Sequence, residues 1–184
     1  MIRTLPLPTR DRLAETILAA LHDARARSEL AALARGDASL AGAWLEDAAR
    51  DGEALRARAS RALRAMAERP LKENDGGLDR ALEDAALLFD AGLFFEVHEL
   101  LEPHWHRASG DEREALQGLI QIAVGYQHLA NGNDRGARSL LDEGTRRITG
   151  RVLAGRPLDT LAAGVRAAPD AEAPGSIPTF PRTA

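Results

Sequence analysis

The densest group of chemically capable side chains lies in residues 89–105, which read FDAGLFFEVHELLEPHW. His98, Glu102 and His106 follow one another at intervals of four, so a helix would stack them along one side. Imidazole and carboxylate groups in such a stack can bind Zn²⁺, Mn²⁺ or Fe²⁺, and they can also act as general acids or bases. This segment is therefore the predicted site, although its residues do not specify a substrate.

A helix predicted over residues 93–107 would carry this polar stripe beside an apolar one. The apolar stripe contains residues that are expected to face the core, with Trp105 as its anchor beside the polar cluster: Phe94, Val97, Leu101 and Trp105. A polar stripe that borders a buried stripe is typical of a half-buried site. Glu96 falls further round the helix.

A second helix is expected to complete the site. Residues 111–130 predict a helix on which Gln117, Gln121 and His128 share one side, close to Gly118 and Gly125. Because the preceding turn is short, the two helices should be antiparallel. His128 would then lie near His98, and the two glutamines near the remaining polar residues of the first helix.

Two interpretations of this convergence stay open. A divalent metal held by His98, Glu102 and His128 could activate water for hydrolysis, with a spare glutamate as general base. Alternatively, the polar groups form a hydrogen-bonded network that sets helix register, and Gln117 and Gln121 satisfy the carboxylates. The HExxH motif of zinc proteases is absent, since a glutamate stands where its second histidine would be.

Composition indicates an all-α protein. The 184 residues are 45% hydrophobic but only 4% aromatic, and alanine, leucine and arginine, all good helix formers, dominate. The absence of cysteine excludes disulfides, thiolate metal sites and a cysteine nucleophile.

Charge and the chain start predict a cytoplasmic protein without nucleic-acid or membrane partners. The net charge is −4. Residues 1–72 carry three more basic than acidic side chains, but the basic residues are scattered along the segment and are not interleaved with aromatic residues, as a nucleic-acid-binding surface would require. No apolar run has the length of a membrane span, and the first residues lack an apolar signal core. A monomer and a homodimer through the alanine-rich N-terminal helices both agree with the sequence, and neither a small-molecule substrate nor a protein partner is specified.

Helical periodicity and glycine or proline breaks divide the chain into four segments. These are an N-terminal helical extension (1–70), a polar linker (71–78), a helical domain (79–168) and an extended, proline-rich tail (169–184). The predicted helices span residues 11–35, 39–50, 53–68, 79–90, 93–107, 111–130, 134–149 and 158–167.

An internal similarity at an offset of 40 residues predicts repeated helical hairpins. Residues 91–101 align with residues 131–141, so that Gly92 pairs with Gly132 at a turn between two helices. This is the organisation of tetratricopeptide-like hairpins. We therefore expect a compact array of antiparallel helical hairpins. A non-enzymatic scaffold or protein-interaction module, in which the polar cluster is structural, is the alternative function.

The motif order from residue 86 to residue 145 resembles the bacterial and archaeal domain-of-unknown-function 309 family. It runs through Phe89-Asp-Ala-Gly92, Phe95-Glu96-Val-His98-Glu99 and Glu102, then Trp105, Leu116-Gln117-Gly118-Leu-Ile-Gln121, His128, Gly132-Asn133 and Gly136-Ala137. Asp90 and Val97 depart mildly from the family pattern, which tends to have Asn and Ala there.

The resemblance implies an all-α fold and a predicted metal-dependent hydrolase, a description that is itself an interpretation of the His/Glu motif. It does not cover residues 1–75. The positions it implies are His98, Glu102 and His128 as metal ligands, with Glu99 and Glu96 as catalytic carboxylates.

Overall fold

The computed structural model describes residues 5–71, 73–168 and 177–183. Within these ranges, nine α-helices and one short two-stranded hairpin form the secondary structure, so the predicted all-α fold is confirmed. None of the described helices combines the length and apolar character that a bilayer crossing requires. The chain divides into two compact units, Met1–Asn74 and Asp75–Ala184.

The first unit contains helices α1 (Leu7–Ala20), α2 (Ala24–Arg35), α3 (Ala38–Trp44) and α4 (Ala48–Met66). Helix α2 packs against both α1 and α4. The apolar positions that recur at helical spacing form the core of this unit, and each is at most 2% exposed: Leu13, Ile17, Leu30, Leu33, Leu55 and Met66.

The single helix predicted over residues 11–35 is wrong, because the chain turns between Ala20 and Ala24. Asp23 has an extended backbone, and its carboxylate accepts a hydrogen bond from the Ala26 N–H at 2.7 Å. This contact caps a new helix. Apolar periodicity continues across the short turn, so periodicity alone did not reveal the break.

The boundary between the next two helices also differs from the predicted ranges 39–50 and 53–68. Leu45 is extended, and Asp47 caps α4 by accepting a hydrogen bond from the Arg50 N–H at 2.9 Å. Helix α4 therefore begins at Ala48, inside the range assigned to the preceding helix.

The second unit contains α5 (Leu78–Asp90), α6 (Phe94–Arg107), α7 (Gly110–Ala130), α8 (Asp134–Ile148) and α9 (Asp159–Ala167). Consecutive helices pack on one another. The two turns forty residues apart both use a left-handed glycine, Gly92 with φ 71° and Gly132 with φ 75°. Glycine adopts this conformation without steric penalty, which explains the repeated sequence at the two hairpins.

Helices α7 and α8 approach each other closely through small residues. A Cβ atom added to Gly118 would lie 2.9 Å from the Gly144 carbonyl oxygen, and one added to Gly144 would lie 2.7 Å from the Gly118 carbonyl oxygen. At Gly125, an added Cβ would lie 2.8 Å from the Leu141 side chain. The face of α7 that carries these glycines is thus turned towards α8.

A hairpin that the sequence did not predict follows α8. Strands β1 (Val152–Leu153) and β2 (Arg156–Pro157) pair antiparallel around Ala154 and Gly155, which have φ 45° and 76°. Arg156 is only 2% exposed, and its guanidinium donates to Asp79 Oδ1 at 2.5 Å. This ion pair attaches the hairpin to the start of α5.

The tail was predicted to be extended, and its residues 169–176 and 184 lie outside the described part of the chain. Residues 177–183 have no helix or strand, but they are docked. Phe180 is 2% exposed, its ring centroid lies 5.5 Å from that of Phe89, and its N–H donates to Asp90 Oδ1 at 2.9 Å. An aromatic side chain therefore holds the tail against the core of the second unit.

Candidate metal centre

Helix α6 begins after the Gly92 turn and presents two adjoining stripes. Its apolar stripe is buried, with Phe94 4% exposed and both Val97 and Leu101 fully buried. Trp105, at the end of that stripe, is only half-buried. The backbone stays helical from Phe94 to Arg107 even though Pro103 lies inside it.

The polar stripe contains a compact cluster of His98, Glu99 and Glu102. Each offers one ligand atom, and these three atoms lie within 4.8 Å of one another. His98 Nδ1 and Glu99 Oε1 are hydrogen-bonded at 3.0 Å. The side chains are 27%, 37% and 43% exposed, in chain order, so the cluster is half-buried and open on one side.

His106 contacts the far end of the cluster. Its Nε2 lies 3.8 Å from Glu102 Oε1, and its side chain is 61% exposed. The continuous helix keeps the interval of four between these residues in register. His106 is nevertheless not one of the three clustered residues.

Trp105 packs beside the cluster against an arginine. The Arg113 guanidinium lies 4.1 Å from the centroid of the Trp105 ring, and Arg113 Nη1 donates to the Trp105 carbonyl at 2.8 Å. Sequence spacing did not indicate this cation–π contact. Burial lowers the pKa of the neighbouring His104, and the positive charge of Arg107 lowers it further.

Glu96, which falls further round the helix than the polar stripe, is completely buried in the first turn of α6 and interacts with neighbouring groups there. Negative charge in the first turn is favoured by the helix dipole. Glu96 is not part of the cluster, in contrast to Glu99, the other predicted catalytic carboxylate.

His128 lies at the other end of α7, beside the start of α8. Its Nδ1 is 2.9 Å from Asn133 Nδ2 and would be 2.5 Å from a Cβ atom added to Gly136. It does not join His98 and Glu102 in the cluster. The glycine-bearing face that His128 shares is turned towards α8, whereas the prediction assigned it to α6.

The two glutamines of α7 do not saturate the cluster. Within the described residues, neither Gln117 nor Gln121 forms a side-chain hydrogen bond to His98, Glu99 or Glu102. Gln121 Oε1 is buried and has no hydrogen-bond partner there. The alternative interpretation, a hydrogen-bonded network in which Gln117 and Gln121 satisfy the carboxylates, is therefore not formed at these two glutamines.

The sequence contained the cluster but suggested a different set of members. Spacing by four selects His98 and Glu102, and a glutamate next to His98 was assigned to catalysis. The long side chain of Glu99 instead reaches back to the imidazole. The sequence feature that could have predicted this contact is the adjacent pair His98-Glu99, followed by Glu102 one helical turn later.

Residues 82–140 match the model of one protein family, described as Domain of unknown function (DUF309). The match covers 59 of 184 residues and runs from α5 into α8, so it includes the whole cluster and His128. This confirms the family that the sequence motifs indicated. No curated protein and no solved structure matches the chain.

Proposed function

We propose that His98, Glu99 and Glu102, which lie in the segment matching the DUF309 model, bind a divalent metal ion. The observation that carries this proposal is the approach of their three ligand atoms to within 4.8 Å of one another. One imidazole nitrogen and two carboxylate oxygens suit Zn²⁺, Mn²⁺ or Fe²⁺.

The spacing of the ligand atoms supports the proposal. Metal–ligand bonds of about 2.1 Å hold neighbouring ligand atoms roughly 3–3.5 Å apart. The three side chains belong to flexible residues on a half-buried surface, so small changes in their torsion angles bring the atoms from their present separation to that distance. A cation would also relieve the repulsion between the carboxylates of Glu99 and Glu102.

The open side of the cluster supports a catalytic rather than a structural ion. Structural zinc sites are closed by four protein ligands, whereas catalytic sites keep a position for water. His98, Glu99 and Glu102 would hold the ion with a position left for solvent, and the ion would supply Lewis-acid chemistry there. His106, whose Nε2 lies 3.8 Å from Glu102 Oε1, would be placed to accept a proton. The reaction class proposed on this basis is metal-dependent hydrolysis.

The metal content of the purified, untagged full-length protein tests this proposal. After dialysis against Zn²⁺, Mn²⁺ or Fe²⁺ and removal of free metal, elemental analysis should find close to one equivalent of one of them. His98→Ala should weaken binding at least ~10-fold, because even residues that only orient ligands contribute about 10–100-fold. His104→Gln is the matched control: it alters a histidine of the same helix outside the cluster and should bind metal like the wild type.

Stability measurements separate a metal site from a structural network. His98 and Glu102 are partly exposed, so His98→Ala and Glu102→Gln should change the metal-free unfolding free energy by less than about 1 kcal/mol. Bound metal should raise the melting temperature of the wild type but not of His98→Ala. Absence of metal under all conditions, together with a large loss of stability in both variants, would leave the polar cluster as part of a helical scaffold.

Hydrolysis is tested by the metal dependence of an activated ester. The loaded wild type should hydrolyse 4-nitrophenyl acetate faster than the metal-free protein, and His98→Ala should lose this difference. Equal rates with and without bound metal would refute the hydrolase assignment while leaving the metal site intact.

A further inference from the structure

A second candidate site lies between α8 and α9, on elements that carry no residue of the metal cluster. The cavity there has a volume of about 390 Å³, which falls within the range of small-molecule pockets. Its lining consists of four residues of α8, two of α9 and the residue that follows α9: Arg138, Leu141, Asp142, Thr145, Val165, Arg166 and Ala168. Both helices belong to the second unit, so the cavity lies within one compact body.

The lining has a buried apolar part and an exposed charged rim. Leu141 and Val165 are 9% and 6% exposed. Asp142 and Arg166, which follow them directly in the chain, are exposed. The cavity therefore offers apolar contacts inside and charged contacts at its opening, an arrangement that suits a small amphipathic molecule.

Thr145 adds a polar group to the buried part of the lining. It is 3% exposed, and its Oγ1 has no hydrogen-bond partner among the described residues. Buried hydroxyls are nearly always hydrogen-bonded, so this oxygen indicates either a bound water or a polar group of a ligand. Because a hydroxyl is both donor and acceptor, it can donate to a carboxylate.

One carboxylate and one guanidinium are available at the rim. Arg138 already interacts with another group, so its charge is not counted. In the part of the chain that the structure describes, Asp142 and Arg166 line the same cavity without forming an ion pair with each other. Arg166 donates through Nη2 to Thr149 Oγ1 at 2.5 Å, and since a guanidinium has five N–H donors, others remain for a second acceptor. The two available charges therefore cancel in sum but stay separate in space.

A zwitterion matches these separate charges better than an ion of either sign. An anion bound to Arg166 is repelled by Asp142, and a cation bound to Asp142 is repelled by Arg166. In an α-amino acid the ammonium and carboxylate groups are attached to the same carbon atom, so each group can face the rim residue of opposite charge. The planar guanidinium also has the geometry that a carboxylate requires.

We propose that this cavity binds a small α-amino acid with an apolar side chain. The carboxylate of the ligand accepts hydrogen bonds from Arg166 and from the Thr145 hydroxyl, and its ammonium group donates to Asp142. The apolar side chain of the ligand packs on Leu141 and Val165. This site does not depend on the proposed metal centre.

NMR titration of the ¹⁵N-labelled full-length protein at neutral pH and constant ionic strength tests the proposal. L-Norvaline should shift the amide signals of Leu141, Thr145 and Val165 and saturate with a Kd of about 1 mM. Pentanoate lacks the ammonium group and butylammonium lacks the carboxylate, while both keep the apolar chain. Each should bind at least ~10-fold more weakly than norvaline, because each meets one rim charge of its own sign.

Neutralising the rim residues one at a time identifies what each of them recognises. Arg166→Gln and Asp142→Asn should each weaken norvaline binding at least ~10-fold. Asp142→Asn should also remove the preference for norvaline over pentanoate, and Arg166→Gln should remove the preference for norvaline over butylammonium. A substitution that only disturbs the fold would weaken all three ligands alike and leave these two preferences unchanged.

Three further variants test the buried hydroxyl and serve as controls. Thr145→Val keeps the shape of the side chain but removes the hydroxyl, so it should weaken norvaline binding several-fold. Arg146→Gln alters an exposed arginine of α8 outside the cavity lining and should bind norvaline like the wild type. His98→Ala should also leave norvaline binding unchanged, which separates this site from the proposed metal centre.

Three results would overturn the proposal. Shifts that grow linearly without saturation would mean that the cavity is not a binding site for amino acids. Pentanoate or butylammonium binding as tightly as norvaline would mean that the cavity does not recognise a zwitterion. Unchanged preferences among the three ligands in both rim variants would mean that norvaline binds elsewhere on the protein.

Discussion

Tyr126 is the only tyrosine of the chain, and it occupies the aromatic centre of the second unit. Its ring stacks on Phe94 at a centroid distance of 5.4 Å and meets the edge of Phe89 at 5.6 Å. The residue is 2% exposed, and its hydroxyl has no hydrogen-bond partner among the described residues. Burial disfavours the phenolate and raises the pKa of Tyr126 from 10.0 to about 12.

This pKa gives stability a defined dependence on alkaline pH. The folded state holds the Tyr126 proton more tightly than the unfolded chain, so the stabilisation is fully present below pH 10.0 and is lost as pH rises through about 12. We expect the unfolding free energy to fall by roughly 2 kcal/mol across that interval. Absorbance at the phenolate band reports Tyr126 alone, and urea unfolding at several pH values measures the accompanying loss.

Tyr126→Phe provides the control for this prediction. The variant removes a buried hydroxyl that has no partner, so its stability at neutral pH should equal or exceed that of the wild type by up to about 1 kcal/mol. Its unfolding free energy should decrease less steeply above pH 10.0. A wild-type tyrosine that ionises at pH 10.0, or a Phe variant with the same alkaline dependence, would contradict the burial argument.

At the level of single residues, sequence reasoning found the cluster but not all of its geometry. A helical wheel assigns His98 and Glu102 to one side correctly, because that relation depends only on local backbone geometry. It does not reveal which neighbour covers each side. It therefore did not show that Glu96, a predicted catalytic carboxylate, is buried, or that His128 contacts Asn133 at the start of α8 instead of joining His98.

At the level of elements, the contact between α7 and α8 depends on backbone approach at Gly118 and Gly144. Glycine inside a helix normally destabilises it by ~1 kcal/mol relative to alanine, so these positions are favourable only because the helices come so close. The sequence predicted a close neighbour from the glycine spacing. It did not identify α8 as that neighbour, because spacing on one helix carries no information about its partner.

Gly144→Ala should therefore destabilise the protein, contrary to helix propensity. The new Cβ would lie 2.7 Å from the Gly118 carbonyl oxygen and 2.8 Å from Ile122 Cγ1, and neither atom belongs to a freely mobile side-chain end. We expect a loss of about 1–3 kcal/mol in the unfolding free energy, typical of overpacking. Thermal unfolding followed by circular dichroism measures it.

Gly42→Ala in α3 is the contrasting substitution. An added Cβ there has no atom within 4 Å, so helix propensity alone acts. This variant should be unchanged or more stable by up to ~1 kcal/mol. If Gly144→Ala were as stable as Gly42→Ala, the close approach of α7 and α8 would not be a feature of the protein in solution.

At the level of the whole molecule, the chain consists of two units that divide after Asn74. Composition predicted helices throughout, and the polar residues 71–78 predicted a linker near this position. Composition did not predict that the proline-rich tail would dock. A docked tail differs from a loose one through tertiary contacts, chief among them those of the buried Phe180 with Phe89 and Asp90.

Fragment 75–184 should fold by itself, and the tail should contribute strongly to its stability. Removing residues 169–184 from it eliminates the buried Phe180 ring and both contacts to Asp90, the Phe180 N–H bond and the Arg182 ion pair at 2.5 Å. Because large-to-small changes at buried phenylalanines cost about 3–5 kcal/mol, fragment 75–168 should be less stable by at least ~3 kcal/mol. Urea unfolding followed by circular dichroism gives the difference directly.

Two point variants of fragment 75–184 show whether the aromatic ring is responsible. Phe180→Ala should reproduce most of the loss, because its side chain is 2% exposed. Ile177→Ala, which alters a tail residue that is 40% exposed, should change stability by no more than about 1 kcal/mol. Equal unfolding midpoints for fragments 75–184 and 75–168 would contradict docking. If Phe180→Ala and Ile177→Ala lowered the unfolding free energy equally, the stabilisation would come from the tail in general. A specific contact of the buried Phe180 ring requires Phe180→Ala to cost more than the substitution of the exposed Ile177.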